Sequence, residues 1–198
     1  MNIVLFDPPE LRIDLLPLTF TRPVAEIRCG ILTVAEKWAR RMESKVSHLT
    51  VAHLSEKFPV VSGPDTVFID GSLLPDSALV EQVKSLRQGH ALWLNGSVVA
   101  IRTNIAEMEK WKDAPGHELE QTDRISAPWD VFRKNGDQIR SDFSLITAGR
   151  KSEVLSDPHT KIYHPENIFL EPGAQVLASV INATDGPVYL GRNSIIRE

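Results

Sequence analysis

The feature that most constrains the fold is a stiff, cationic loop caught between a buried strand and an amphipathic helix. Residues 3–6 are an apolar run long enough only for a short strand. Residues 14–30 read DLLPLTFTRPVAEIRCG. From 31 to about 44 a helical pattern follows, with Ile31, Leu32, Ala35, Trp38, Ala39 and Met42 recurring on one face. A loop joining a first strand to a first helix, at the carboxyl end of a parallel sheet, is where α/β proteins bind nucleotides. Pro17 and Pro23 stiffen this one, and Arg12, Arg22 and Arg28 give it charge to meet a phosphate. The same residues also suit a proline-rich connector with solvated arginines, so both readings stand at this point.

Farther along, strands are expected near 46–51 and 60–61, separated by a polar, helix-compatible piece that carries His53, Glu56 and Lys57. Residues 66–69 form an apolar run that ends in Asp70-Gly71. That places a carboxylate at a strand's end, where α/β enzymes hold metal ions, although an aspartate before glycine also suits a plain turn. Asp76 and Ser77 start a helix whose stripe is Leu79, Val80, Val83 and Leu86, ended by Gln88-Gly89. Residues 91–94 and 97–101 flank Asn95-Gly96, a favoured two-residue turn, so the sheet is mixed rather than purely parallel. Residues 104–111 read as helix, 112–126 as loop, and 128–135 as a helix with Trp129 and Phe132 in the core.

Size and charge exclude several classes. The chain has 198 residues, enough for one domain or a domain with an appendage. A net charge of −4 argues against a general nucleic-acid or membrane-surface partner. No apolar stretch approaches the roughly 20 residues that span a bilayer, and no secretory leader pattern is seen. The single cysteine, Cys29, excludes an internal disulfide framework, reads as a small buried filler and fits the cytoplasm. Six scattered histidines form no zinc pattern, and neither a P-loop nor a nucleophile elbow occurs.

Beyond about 162 the texture changes. Leu170, Val176, Leu190 and Ile196 mark six-residue units, with Ala174, Val180 and Ser194 four places on. This resembles the hexapeptide repeat of left-handed parallel β-helices, with the extra residues at 184–187 as a bulged corner. An ordinary antiparallel edge is the alternative. Such coils bury a core only by stacking, and about three or more are needed. The chain is therefore expected to be the front portion of a longer protein. Its layout is a domain at 1–147, a linker at 148–161 and the first coils at 162–198.

Leu16-Pro17-Leu18-Thr19 with Arg22-Pro23 resembles the PLT-x-x-x-P signature of sugar-1-phosphate nucleotidyltransferases. The longer string PLTFTRPVAEIRCGILTVAEKW resembles short bacterial variants of the bifunctional N-acetylglucosamine-1-phosphate uridyltransferase and glucosamine-1-phosphate acetyltransferase family. The resemblance implies a Rossmann-like α/β domain, with a mixed, mostly parallel sheet and flanking helices, followed by the start of a left-handed β-helix. It implies transfer of a nucleotide from a nucleoside triphosphate, UTP by expectation, to N-acetylglucosamine-1-phosphate, for UDP-sugar synthesis. Arg12, Arg22 and Arg28 would hold phosphates, Pro17, Leu18, Thr19 and Pro23 would shape the loop around the substrates, and Asp70 would bind Mg2+. Full-length relatives assemble as trimers. The chain departs from the pattern at the glycine-rich G-x-G-T-R loop, where it has Phe6-Asp7-Pro8-Pro9-Glu10-Leu11-Arg12, and at the lysine after the signature proline, which is Val24. The alternative function is a non-catalytic nucleotidyltransferase-like module that assembles or regulates a downstream hexapeptide acetyltransferase.

Overall fold

Strand β1 (Asn2–Phe6) is buried from Ile3 onward, as a strand inside a parallel sheet must be. After it the chain forms α1 (Pro9–Asp14), α2 (Val34–Arg41), β2 (Val46–Leu49), α3 (Ala52–Ser55) and β3 (Thr66–Asp70). Next come α4 (Ser77–Ser85), β4 (Ala91–Leu94), β5 (Ser97–Thr103), β6 (Gly116–Glu118) and α5 (Pro128–Thr147). The computed structural model describes residues 1–197 and divides the chain into two compact units, Met1–Arg133 and Lys134 onward. The division falls inside α5, earlier than a linker beginning at 148.

In the first unit six strands make one mixed sheet in the order β2-β1-β3-β5-β4-β6. β1 pairs in parallel with β2 on one side and β3 on the other, with Phe6 opposite Asp70. β5 runs antiparallel to β3 and to β4, the hairpin the Asn-Gly turn demands. The chain thus leaves β1 for one side, then crosses it to the other. Such a reversal opens a crevice between the carboxyl ends of β1 and β3.

Alternation along the strands builds two apolar layers. Ile3, Leu5, Val67 and Ile69 face the α2 residues Val34, Ala35, Trp38 and Met42 and the α4 residues Leu79, Val80 and Val83. The fully buried Trp38 donates its indole N–H to the Leu73 carbonyl at 3.0 Å, so its polar atom is not stranded. On the other face Val4, Phe6, Phe68 and Ile101 surround Trp111. That ring meets Phe6 edge-on at 5.2 Å.

Several expectations shift. α2 begins at Val34 rather than near 31, because Thr33 and Glu36 close a capping box: Thr33 Oγ1 accepts from the Glu36 N–H at 3.1 Å, and the Glu36 carboxylate accepts from the Thr33 N–H at 2.7 Å. Residues 60–61 make no strand; the Val61 N–H is taken by the Ser47 hydroxyl instead of a ladder. Only Met108–Trp111 of the expected 104–111 helix turns, as a 3-10 segment. The 112–126 loop contains β6 as an edge strand parallel to β4. α5 runs on through Gly136 to Thr147. Trp129 and Phe132, expected in the core, are 60% and 86% exposed. Val131 is the residue that packs inward, which turns its neighbours off the buried stripe.

The second unit holds six short strands after the helix: β7 (Lys161–Tyr163), β8 (Ile168–Leu170), β9 (Gln175–Val176), β10 (Val180–Asn182), β11 (Val188–Leu190) and β12 (Ile195–Ile196). They pair as β7/β10, β8/β11 and β9/β12, every pair parallel. The register sets Leu170 beside Leu190 and Val176 beside Ile196, and these residues share a separate apolar cluster with Ile168 and Ile181.

Removing the Thr33 hydroxyl should weaken the start of α2. Thr33→Ala is expected to lower unfolding free energy by about 1 kcal/mol, read as a lower urea midpoint with unchanged slope.

Candidate active site

A strand that ends in a buried carboxylate needs partners for it, and Asp7, directly after β1, has three. Its side chain accepts from the Val24 N–H at 2.8 Å, from Thr50 Oγ1 at 2.6 Å and from Arg12 Nη1 at 2.8 Å. Arg12 also donates to the carbonyls of Thr19 and Arg22, and Thr19 Oγ1 returns a bond to the Arg12 carbonyl at 2.7 Å. Arg12 is 9% exposed. Its donors therefore hold the loop shut rather than facing a ligand. Thr19 is the other half of that lock, and Pro23 precedes the 3-10 turn Val24–Glu26 that delivers the Val24 N–H to Asp7. Pro17 and Leu18 are exposed on the loop's outer side. Gly71 fits tightly beneath the turn; a Cβ there would sit 3.2 Å from the Ala25 nitrogen and from the Phe6 carbonyl.

The closed loop presents the other two arginines to one cavity. Arg22 and Arg28, with Thr21, Glu26, Thr33, Lys57 and Phe58, line a polar cavity of about 320 Å³. Arg28 is half spent, its guanidinium donating to the Ile31 carbonyl and lying 3.5 Å from the Glu36 carboxylate. Arg22 makes no side-chain hydrogen bond or ion pair among the described residues, so its donors face the cavity's solvent. Glu26 stands between the two arginines and His48, whose Nε2 lies 3.0 Å from a Glu26 carboxylate oxygen. That hydrogen bond, together with the charges of His48, Arg22 and Arg28, holds the Glu26 carboxyl below its ordinary range. Two guanidinium groups and an ammonium set against the carboxylates of Glu26 and Glu36 still leave an excess of positive charge. That is the chemistry of a phosphate site.

Asp70 ends β3 beside this loop and is 2% exposed. One of its oxygens accepts from the Ser72 N–H at 2.8 Å and the Ser72 hydroxyl at 2.7 Å; the other meets Arg124 Nη2 at 3.2 Å. Burial drives its carboxyl above the usual range; Arg124 and Ser72 oppose this, and the Asp7 charge adds to it. Arg124 is pinned by a bridge to Leu73 and by the Ile125 N–H on the Ser72 carbonyl at 2.9 Å. Among the described residues no group of three or more His, Cys, Asp or Glu is placed to hold a metal ion. One strand-end carboxylate does suit an ion that arrives on a triphosphate, since magnesium keeps water and phosphate ligands and takes one or two carboxylates from the protein.

Three residues of this region carry no motif. Asp7 had the same signal as Asp70, a carboxylate ending an apolar run, but stood inside the string that departs from the glycine-rich pattern. Lys57 and Arg124 reach the site from distant segments, and no local pattern marks them.

Arg12→Ala should leave Asp7 as a buried charge without its cation, costing about 3–5 kcal/mol; Arg22→Ala should leave the melting temperature unchanged. Differential scanning calorimetry of the two variants checks this contrast. Because the Glu26 pKa is depressed in the folded state, its contribution is complete above 4.5, its ordinary value, and is lost as pH falls through the lower folded value. Glu26→Gln should therefore melt below wild type at neutral pH and lose less stability on acidification, in thermal scans taken from neutral pH to below 4.5.

Among curated proteins no sequence matches this chain. The family of sugar nucleotidyl transferases does match, over residues 3–151. Those residues contain the six-stranded sheet from Ile3 onward, the arginine-lined cavity and both strand-end carboxylates. The chain belongs to the sugar nucleotidyl transferase family.

Proposed function

We propose that the first unit joins a sugar-1-phosphate to a nucleoside triphosphate and releases pyrophosphate, with N-acetylglucosamine-1-phosphate and UTP as the pair. The observation that carries this reading is the convergence of Arg22, Arg28 and Lys57 on one cavity at the carboxyl edge of the parallel strands. A sugar phosphate oxygen attacks the α-phosphorus in line, and the protein's part is to position and neutralise. Arg22, with donors unspent, grips a phosphate; Arg28 supports it from the start of α2. Arg12 acts one step back, fixing the loop through Asp7 and Thr19, with Pro17, Leu18 and Pro23 setting its course. Asp70, at the end of β3, would hold a magnesium ion carried by the triphosphate, and that ion would supply charge neutralisation for the leaving pyrophosphate.

The three parallel strand pairs of the second unit support a further part of the proposal, that they are the opening coils of a left-handed β-helix. In that reading Leu170 over Leu190 and Val176 over Ile196 are successive layers of one interior. Assembly into trimers and a cytoplasmic setting belong to the same proposal.

A second reading is a non-catalytic module. Two observations favour it: Pro8 and Pro9 withdraw two backbone donors after β1, and Arg12 is spent within the loop. Pyrophosphate release decides between the two, measured with magnesium across UTP, dTTP, CTP and GTP and a set of sugar-1-phosphates. Catalysis predicts turnover with one pair, a fall of about a hundredfold or more in Arg22→Ala, and loss of turnover with chelator at an unchanged melting temperature. Silence with every pair from folded protein establishes the module.

A further inference from the structure

On the edge of the sheet opposite Asp7 and Asp70 lies a second cavity with cationic walls. β4 runs in the same direction as β1 and β3, and a space of about 390 Å³ borders its amino end. Volume of that order holds a small organic ligand. Leu86, Ala91 and Pro115 give the cavity apolar surface, and Arg87, His90 and His117 stand around it. The seam between β4 and β6 is closely packed. The Ala91 N–H donates to the Pro115 carbonyl at 2.8 Å, and a Cβ on Gly116 would lie 1.8 Å from the Ala91 carbonyl oxygen. His117 is therefore held at a fixed distance from the chain that carries Arg87 and His90.

Each of these three side chains keeps a donor in hand. Arg87 is exposed and makes no side-chain hydrogen bond or ion pair among the described residues. His90 Nδ1 donates to the Gln88 carbonyl at 3.3 Å, and His117 Nε2 donates to the Gln82 side-chain oxygen at 3.2 Å. One nitrogen of each ring is thus engaged by the protein, and the other is left for a ligand. That nitrogen becomes a donor when the ring takes a second proton, a change that an adjacent anion favours. Among the described residues no carboxylate lines the cavity. The surrounding charges are already matched or turned away. Arg102 Nε lies 2.7 Å from an Asp65 oxygen and its Nη1 donates to the Leu86 carbonyl at 3.0 Å, while Lys84 lies 3.6 Å from Glu81. Glu118, next to His117 in β6, belongs to the other face of that strand.

Two imidazoles could also ligate a transition metal, but a free guanidinium beside them and no carboxylate to balance charge favour an anion. The guanidinium fork takes two oxygens of a phosphate, and imidazolium groups from another direction take the third, which a planar carboxylate lacks. Room beside the phosphate, bounded by Leu86, Ala91 and Pro115, suits an organic body.

We propose that this cavity binds a small organic phosphate monoester, its phosphate held by Arg87, His90 and His117, at a site separate from the cavity of Arg22 and Arg28. Nothing in it depends on the turnover proposed for the first unit. NMR of the intact chain, read at the His90 and His117 ring signals, follows titration with phenyl phosphate at about pH 6. Both rings should shift saturably, and inorganic phosphate should bind several times more weakly. Arg87→Ala, an exposed change, should keep the melting temperature and weaken binding about tenfold or more; Arg22→Ala should leave the response intact. Sulfate, a dianion throughout, should bind about tenfold or more weakly at about pH 8 than at about pH 6.

Unshifted rings, or equal affinity in Arg87→Ala, would overturn the site. Loss of the response in Arg22→Ala would hand the ligand to the other cavity and overturn it too. Inorganic phosphate binding as tightly as the ester would overturn the assignment to an ester, and sulfate affinity indifferent to pH would overturn the part given to the imidazoles.

Discussion

The buried carboxylate of Asp7 is the joint on which the first unit's working edge depends. It stands at the end of β1, where the sheet reverses direction, and draws in three segments distant in sequence: α1 through Arg12, the 3-10 turn through Val24, and the stretch after β2 through Thr50. A charge so deeply placed is tolerable only when it is paired and hydrogen-bonded, so these bonds are not optional decoration. Their geometric result is that Thr19 and Arg22 are fixed by their backbone carbonyls, and Arg22 is left with its side chain pointing outward.

This division of labour separates three arginines that look equivalent on paper. Arg12, Arg22 and Arg28 lie within one short stretch, and each has the charge to meet a phosphate. What distinguishes them is the number of donors already committed: both terminal nitrogens of Arg12, part of Arg28, none of Arg22. Asp70 raises the same question with opposite sign, since Ser72 and Arg124 occupy its oxygens before any ligand arrives.

Much of the fold was legible because its signals are local. The apolar run of β1, the Asp-Gly end of β3 and the Asn-Gly hairpin each carry their own periodicity or turn chemistry. What escaped was set at a distance. Whether Arg12 faces a ligand depends on Asp7 and Thr19, whose positions follow from the folded loop. Trp129 and Phe132 fit an amphipathic pattern, yet the choice of which face of α5 turns inward was made by Val131. Residues 60–61 are β-branched and strand-like, but Ser47 intercepts their backbone. Parallel pairing in the second unit joins Leu170 to Leu190 and Val176 to Ile196, a partnership between distant residues that no local spacing conveys.

The closed Arg12–Thr19–Asp7 lock has a consequence for the thermodynamics of ligand capture. A phosphate loop that is ordered only by its ligand charges the loss of its backbone freedom to the association step, and it buries fresh apolar surface as it closes. Here Thr19, Val24 and Leu15 are already buried. The entropy of ordering was therefore surrendered when the chain folded, and in the proposed reading a phosphate would meet a preorganised surface and bind with little change in heat capacity. Affinity of a phosphate at this edge would then reflect charge and desolvation, with ionic strength rather than temperature as its natural control.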